Sequence, residues 1–228
     1  MQDRYHEPCQ YSTRLLEKLE SLDTKKVLDF NLINKAIYWA RKYHGEQKRM
    51  SGEPYYSHPL EVAYMVSDYN LKTDVIVASI LHDIVEDTEV TAGMILDHFS
   101  WRIAQMVDRL TRDRPDGSKL SIEQILTSAY YLKDQEVLLI KLMDRIHNLS
   151  TLNFISIEKQ KLQINESIKN FLIFAEELSL PDIGEYIYKE CVNLNVKLKV
   201  VSLSDLKYRE PVFDKEFSLL VLANQNVE

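Results

Sequence analysis

The stretch Thr73 to Glu89, TDVIVASILHDIVEDTE, constrains this chain more than any other. Its apolar residues recur at helical spacing, so a helix opening near Thr73 is expected to turn Val75, Ile76, Ala78, Ser79, Ile80 and Ile84 toward the protein interior. His82, Asp83, Glu86 and Asp87 then crowd its end. Residues four apart share a helix face, which places His82 one turn from Glu86 and Asp83 one turn from Asp87. Three carboxylates beside one imidazole repel one another, and a fold tolerates them best when a cation neutralises the charge. An exposed acidic helix end is the plainer alternative; a metal site is the sharper one.

The rest of the chain is helix punctuated by turns. Helices are expected from Thr13 to Leu22 and from Leu32 to Gln47, the latter carrying Ile33, Ala36, Ile37, Ala40 and Tyr43 at helical intervals. A turn at Gly52–Pro54 follows, and Pro59 is expected as the first residue of the next helix, leaving His58 at its lip. Thr91 caps a short helix to Phe99, a further helix runs from about Arg102 to Thr111, and RDRPDGSK (112–119) is a charged loop. Ser121 with Gln124 makes a capping box for a helix to about Leu132. Long helices are expected from Asp134 to about Asn153 and from Ile157 to Leu178, then a short one over Asp182 to Glu190. From Asn195 the runs LKVVSLS and FSLLVLA read as short strands, a hairpin or an extended tail. The expected fold is all-α, a single helical domain over residues 13–190 with a C-terminal extension over 195–228.

Composition narrows the functional classes. Apolar residues make up 45% of 228 positions, with only 5 Gly and 6 Pro, as in an ordinary folded protein. No apolar run approaches a membrane span and no leader pattern opens the chain, so cytoplasm is the default expectation, without a membrane partner. A formal charge of −7 disfavours a broad nucleic-acid surface while allowing a local basic pocket. Cys9 and Cys191 lack metal spacing and are expected to be reduced thiols.

Beside His58 and the adjacent His82-Asp83 pair, a metal site needs one more acidic group. Asp144 is attractive because it lies among apolar residues in KLMDRIHN, where a carboxylate is costly unless paired or metal-bound. Pairing with Arg145 or a neighbouring helix is the alternative. Two imidazole nitrogens and two carboxylate oxygens suit Mn²⁺, Fe²⁺ or Zn²⁺ and are too nitrogen-rich for Ca²⁺.

Four ordered blocks carry a resemblance: HGEQKRMSGEPYYSHP (44–59), ILHDIVEDTEVT (80–91), KLMDRIHNLSTL (141–152) and EKQKLQINESIKNFLIFAEEL (158–178). From about Ala36 to Ala175 the chain resembles the HD-domain phosphohydrolases. Within them it is similar to the hydrolase domain of the bifunctional RelA/SpoT alarmone enzymes and to the small alarmone hydrolases. The resemblance implies His58, His82, Asp83 and Asp144 as metal ligands, with Mn²⁺ the usual ion. It implies Glu86 and Asp87 as the catalytic acids, and Arg49, Ser51, Asn148 and Thr151 as contacts to guanosine tetraphosphate or pentaphosphate. The implied reaction removes the 3′-pyrophosphate, giving GDP or GTP and pyrophosphate.

A polyanionic substrate on an acidic protein requires concentrated positive charge. Lys48, Arg49, Lys141 and Arg145 flank the expected ligands in sequence, although Arg145 can instead face an acidic partner. His44 and His147 also match family positions and are expected to be structural. Met50 and Ser150 stand where the family usually has basic residues, which puts the nucleotide more in question than the chemistry. Alternative readings are therefore a hydrolase for another phosphorylated nucleotide, or a non-catalytic nucleotide-binding domain.

Overall fold

A computed structural model describes residues 4–198, and it contains helices and turns without strands among those residues. They form two compact units, one up to Gly117 and one from Ser118 onward. No described helix is long and apolar enough to cross a membrane.

The first unit is built around α4 (Thr73–Leu81), which packs against α2 (Phe30–His44), α3 (Ser57–Val66) and α7 (Trp101–Leu110). Every α4 residue from Val75 to Leu81 is buried, which is what a helix apolar on all sides requires. Burying a Val, Leu or Ile side chain stabilises by about 1.5–3 kcal/mol, so α4 is the main anchor of this unit. Outside it, α1 (Gln10–Leu22) covers α3, and α6 (Ala92–His98) lies on α7. The Thr91 and Ser100 side chains accept the Met94 and Ile103 amides, capping α6 and α7 as their sequences direct.

Two local expectations about this unit change. The helix opening at Thr73 does not run unbroken to the acidic cluster. It stops at Leu81, His82 and Asp83 form a turn, and α5 (Ile84–Asp87) restarts as a single turn. Asp83, at φ −99° and ψ −7°, has left helical geometry. The Asp87 amide still donates to the Asp83 carbonyl at 3.1 Å, so that pair remains one turn apart. Pro59 is the third residue of α3 rather than the first, and His58 lies inside the helix, 1% exposed. First-turn amides have no acceptor within their own helix, so the missing proline N–H is tolerated here as well.

In the second unit, α8 (Ile122–Tyr131) opens with the expected Ser121–Gln124 capping box and packs on α9 (Gln135–Ser150). The expected helix from Ile157 to Leu178 is α10 (Ile157–Glu166) and α11 (Leu172–Glu177), joined by a π-helical turn over Ser167–Phe171. The extra residue in that turn rotates the register, and Phe171 is 1% exposed. The final helix, α12 (Pro181–Leu198), is longer than expected, since Ile183, Ile187, Cys191 and Leu194 continue one buried stripe. It carries helix through Asn195–Leu198, where an extended tail was expected; the remaining strand-like runs lie outside the described residues. Cys9 and Cys191 are free thiols, and burial pushes Cys191 up to about 12.

Candidate metal centre and its surroundings

α3 and the α4–α5 junction bring three expected ligands together within the first unit. Asp83 Oδ2 lies 3.3 Å from His58 Nε2, and Asp83 Oδ1 lies 3.0 Å from His82 Nε2. The two imidazoles are 1% and 0% exposed, with ring centroids 5.2 Å apart. His82 Nδ1 sits 2.8 Å from the Ser79 carbonyl, which can only accept, so Nδ1 carries the hydrogen. Nε2 of the neutral ring then turns a lone pair toward a carboxylate oxygen. Such a contact holds only with a proton or a cation between the two atoms. Two imidazole nitrogens converging on one carboxylate therefore fit a borderline divalent ion, and that tautomer directs the His82 Nε2 lone pair toward the carboxylate. Burial alone would raise the Asp83 carboxyl; His82 and His58 overcome it and hold the group well below the usual carboxylate range.

The two remaining acids of this cluster have different settings. Glu86 Oε1 accepts the Arg112 backbone amide at 2.7 Å. Asp87 Oδ2 accepts the Tyr55 hydroxyl at 2.6 Å, and its backbone carbonyl accepts from Gln47 Nε2 at 2.8 Å. Burial raises the Asp87 carboxyl, Tyr55 pulls it back, and Asp83 adds to the rise. Burial likewise raises the Tyr55 phenol and lowers His44, which stacks on the Tyr55 ring at 4.7 Å.

The loop after α2 is closed by an isolated bridge between Lys48 and Pro54 and by the Arg49 amide donating to the Glu53 carbonyl at 2.9 Å. Gly52 has φ +93°, a conformation costly for other residues. Lys48 is exposed, and the Arg49 guanidinium lies 5.9 Å from the Tyr55 ring centre. Ser51 Oγ is buried with no hydrogen-bond partner among the described residues. Met50 is 76% exposed.

In the second unit, α9 carries the expected residues on its later turns. Asn148 Nδ2 donates to Asp144 Oδ1 at 2.6 Å, and Lys141 Nζ lies 3.7 Å from Asp144 Oδ2. Lys141 is buried. The Thr151 hydroxyl donates to the His147 and Asn148 carbonyls at 3.3 and 3.4 Å as α9 ends. Arg145, 7% exposed, donates to Glu166 at 3.0 Å and stacks over Phe171 at 4.5 Å, which makes it a tie between α9 and the π-turned segment. Tyr55 and Gln47 are the polar groups around Asp87 that sequence reasoning missed. Their signal was the Gly–Pro turn, whose two arms fold back on each other.

The chain matches the HD domain family over residues 36–178. It is 34% identical over 161 residues to a probable guanosine-3′,5′-bis(diphosphate) 3′-pyrophosphohydrolase of Mycoplasma pneumoniae, covering 65% of this chain and 22% of that one. A guanosine-3′,5′-bis(diphosphate) 3′-pyrophosphohydrolase of Aquifex aeolicus is 33% identical over 189 residues, covering 77% and 27%. A GTP pyrophosphokinase rsh of Brucella ovis is 35% identical over 159 residues, covering 68% and 21%. The chain thus spans about a fifth to a quarter of the length of these relatives. Among solved structures, a metazoan ortholog of SpoT described as hydrolysing ppGpp has a similar fold, with TM-score 0.51 and 18% identity over 86% of this chain and 99% of that one. Helical architecture, the His82-Asp83 pair beside His58, and a match across 36–178 agree: this chain belongs to the HD domain family.

Proposed function

We propose that this chain is a Mn²⁺-dependent hydrolase of guanosine 3′,5′-bis(diphosphate), and of its pentaphosphate counterpart, releasing GDP or GTP and pyrophosphate. The observation that carries the reading is the Asp83 carboxylate set between the Nε2 atoms of His58 and His82, with Glu86 and Asp87 on the next turn. Relatives named for this reaction support it. Here His58, His82, Asp83 and Asp144 hold the ion, with Zn²⁺ or Fe²⁺ as substitutes for Mn²⁺. When bound, such an ion acidifies a water and polarises a phosphoryl oxygen.

The chain's own groups supply the remainder. Water adds to the phosphorus of the 3′-diphosphate as the bond to the ribose 3′ oxygen breaks, and that oxygen leaves with the proton taken from the water and passed on by the acidic pair. Asp87, whose carboxyl is raised by burial, takes the proton of the attacking water, while Glu86, tied to the Arg112 amide, orients the reacting groups. Lys48, Arg49 and Ser51 on the loop, and Lys141, Asn148 and Thr151 on α9, contact the nucleotide and its phosphates; Arg145 contributes by keeping α9 fixed to Glu166. The HD-type unit of function spans 13–190, with 195–228 as a C-terminal extension. A small nucleotide substrate and a cytoplasmic setting in the stringent response follow, with no nucleic acid or membrane partner.

The exposed Met50 in the phosphate-binding loop favours one second reading, an HD-type hydrolase for a different phosphorylated nucleotide. Purified protein with Mn²⁺ and a nucleotide panel separates the two. Pyrophosphate release from guanosine 3′-diphosphates supports the first, and release of phosphate or pyrophosphate only from other nucleotides supports the second.

A further inference from the structure

Asp87 closes a helix of only four residues, α5. An isolated turn is unstable, because a helical nucleus fixes several dihedrals for one hydrogen bond. The direction of the Asp87 carboxylate must therefore be set from outside α5, and two residues do so. Gln47 Nε2 holds the Asp87 backbone carbonyl at 2.8 Å, and the Tyr55 hydroxyl holds the carboxylate at 2.6 Å.

Those two residues are themselves locked. Gln47 spends its amide hydrogens on Asp87, so its Oε1, 2.9 Å from His44 Nδ1, accepts from that ring. His44 is thereby fixed as the neutral tautomer with hydrogen on Nδ1, and it is 1% exposed. Its ring stacks on Tyr55 with 24° between the two planes, setting the phenol plane. The Tyr55 amide donates to the Gln47 carbonyl at 2.8 Å and closes the loop between them.

We infer that Tyr55, backed by His44 and Gln47, is a positioning element that aims the Asp87 carboxylate for proton transfer and ties it to the loop bearing Arg49 and Ser51. The inference rests on the reading of Asp87 given above. It assigns a task to a tyrosine outside the metal-binding and acidic motifs. It also explains why one segment, residues 47–55, carries both phosphate contacts and the donors to Asp87: a loop displaced from the nucleotide also releases the carboxylate.

Tyr55→Phe is the decisive variant, since it keeps the ring and its stack on His44 and removes only the hydroxyl. In the Mn²⁺-loaded enzyme, kcat is expected to fall roughly ten- to a hundredfold with KM changed less than about twofold, the loss typical of a hydrogen bond to a charged group. Independently of turnover, a crystal structure of Tyr55→Phe should show the Asp87 carboxylate turned from its wild-type direction while His58, His82 and Asp83 keep their places. Gln47→Met, which leaves the Tyr55 hydroxyl in place but removes the side-chain hold on the Asp87 carbonyl and on His44, should lower kcat in the same direction. Wild-type kcat in Tyr55→Phe, or an Asp87 carboxylate that keeps its wild-type direction there, would overturn the inference. If the wild type itself splits no guanosine 3′-diphosphate, the proposed function fails, and the direction of the Asp87 carboxylate in Tyr55→Phe still decides the positioning role.

Discussion

The two units meet the same problem, a carboxylate among apolar helices, in opposite ways. In the first, Asp83 sits at a helix break with an imidazole on each oxygen, and further acids follow within one turn. In the second, Asp144 lies within a continuous helix, and its partners on that helix are an amide and an ammonium, Asn148 and Lys141. The histidine–aspartate cluster and the acids after it are thus concentrated where the backbone bends. The Asp144 carboxylate on α9 is held by regular i, i+3 and i, i+4 neighbours. The first gathers imidazoles and acids on one short broken segment; the second spreads its partners along a regular helix.

That contrast can be broken most forcefully by removing the carboxylates. Asp83→Ala and Asp144→Ala are each expected to abolish metal binding and lower turnover on the order of a thousandfold, measured by metal content after dialysis and by pyrophosphate release. Either variant keeping both metal and turnover would remove that residue from the ligand set. Glu86→Gln and Asp87→Asn sharpen the distinction between ligand and proton-transfer group. Metal content should stay at the wild-type level while kcat falls about a hundredfold or more.

Asn148→Ala probes the second unit's way of holding its carboxylate. Without the amide, Mn²⁺ affinity is expected to weaken about tenfold, read by calorimetric titration, the size seen when a residue orienting a ligand is lost. Arg49→Ala should raise KM about tenfold with a smaller effect on kcat, and Met50→Arg should lower KM for the tetraphosphate. Equal KM values across all three proteins would place the phosphates elsewhere.

The smallest effect is on stability. Burial depresses His44 below its ordinary 6.5, so the unfolded chain binds the proton first as pH falls. The contribution of neutral His44 is fully present above about pH 6.5 and is lost as pH drops below that value and through the folded-state pKa, at about 1.4 kcal/mol per unit of displacement. Denaturant midpoints of wild type and His44→Gln, compared at pH 7.5 and pH 5.5, should show the wild type losing more stability over that interval.

Much of this was legible in the chain. The histidine–aspartate and acidic motifs are local, so the crowding of His82, Asp83, Glu86 and Asp87 is visible from spacing, and the caps at Thr91 and Ser121 follow from residue chemistry. What periodicity hides is where a helix breaks without proline or glycine. The stop at His82-Asp83 and the π-turn at Ser167–Phe171 both interrupt stretches whose apolar pattern reads as continuous. Partners from other elements were also beyond spacing rules. Nothing in KLMDRIHN says that Arg145 turns to Glu166, and nothing in SGEPYY says that the first tyrosine reaches Asp87.

The most direct measurement is pyrophosphate release from guanosine 3′,5′-bis(diphosphate) by protein stripped with a chelator and then titrated with Mn²⁺. The account predicts no release from the stripped protein and saturable recovery as about one ion per chain binds. Release that continues undiminished after chelation, or a folded, Mn²⁺-loaded protein that leaves this nucleotide intact, would contradict it.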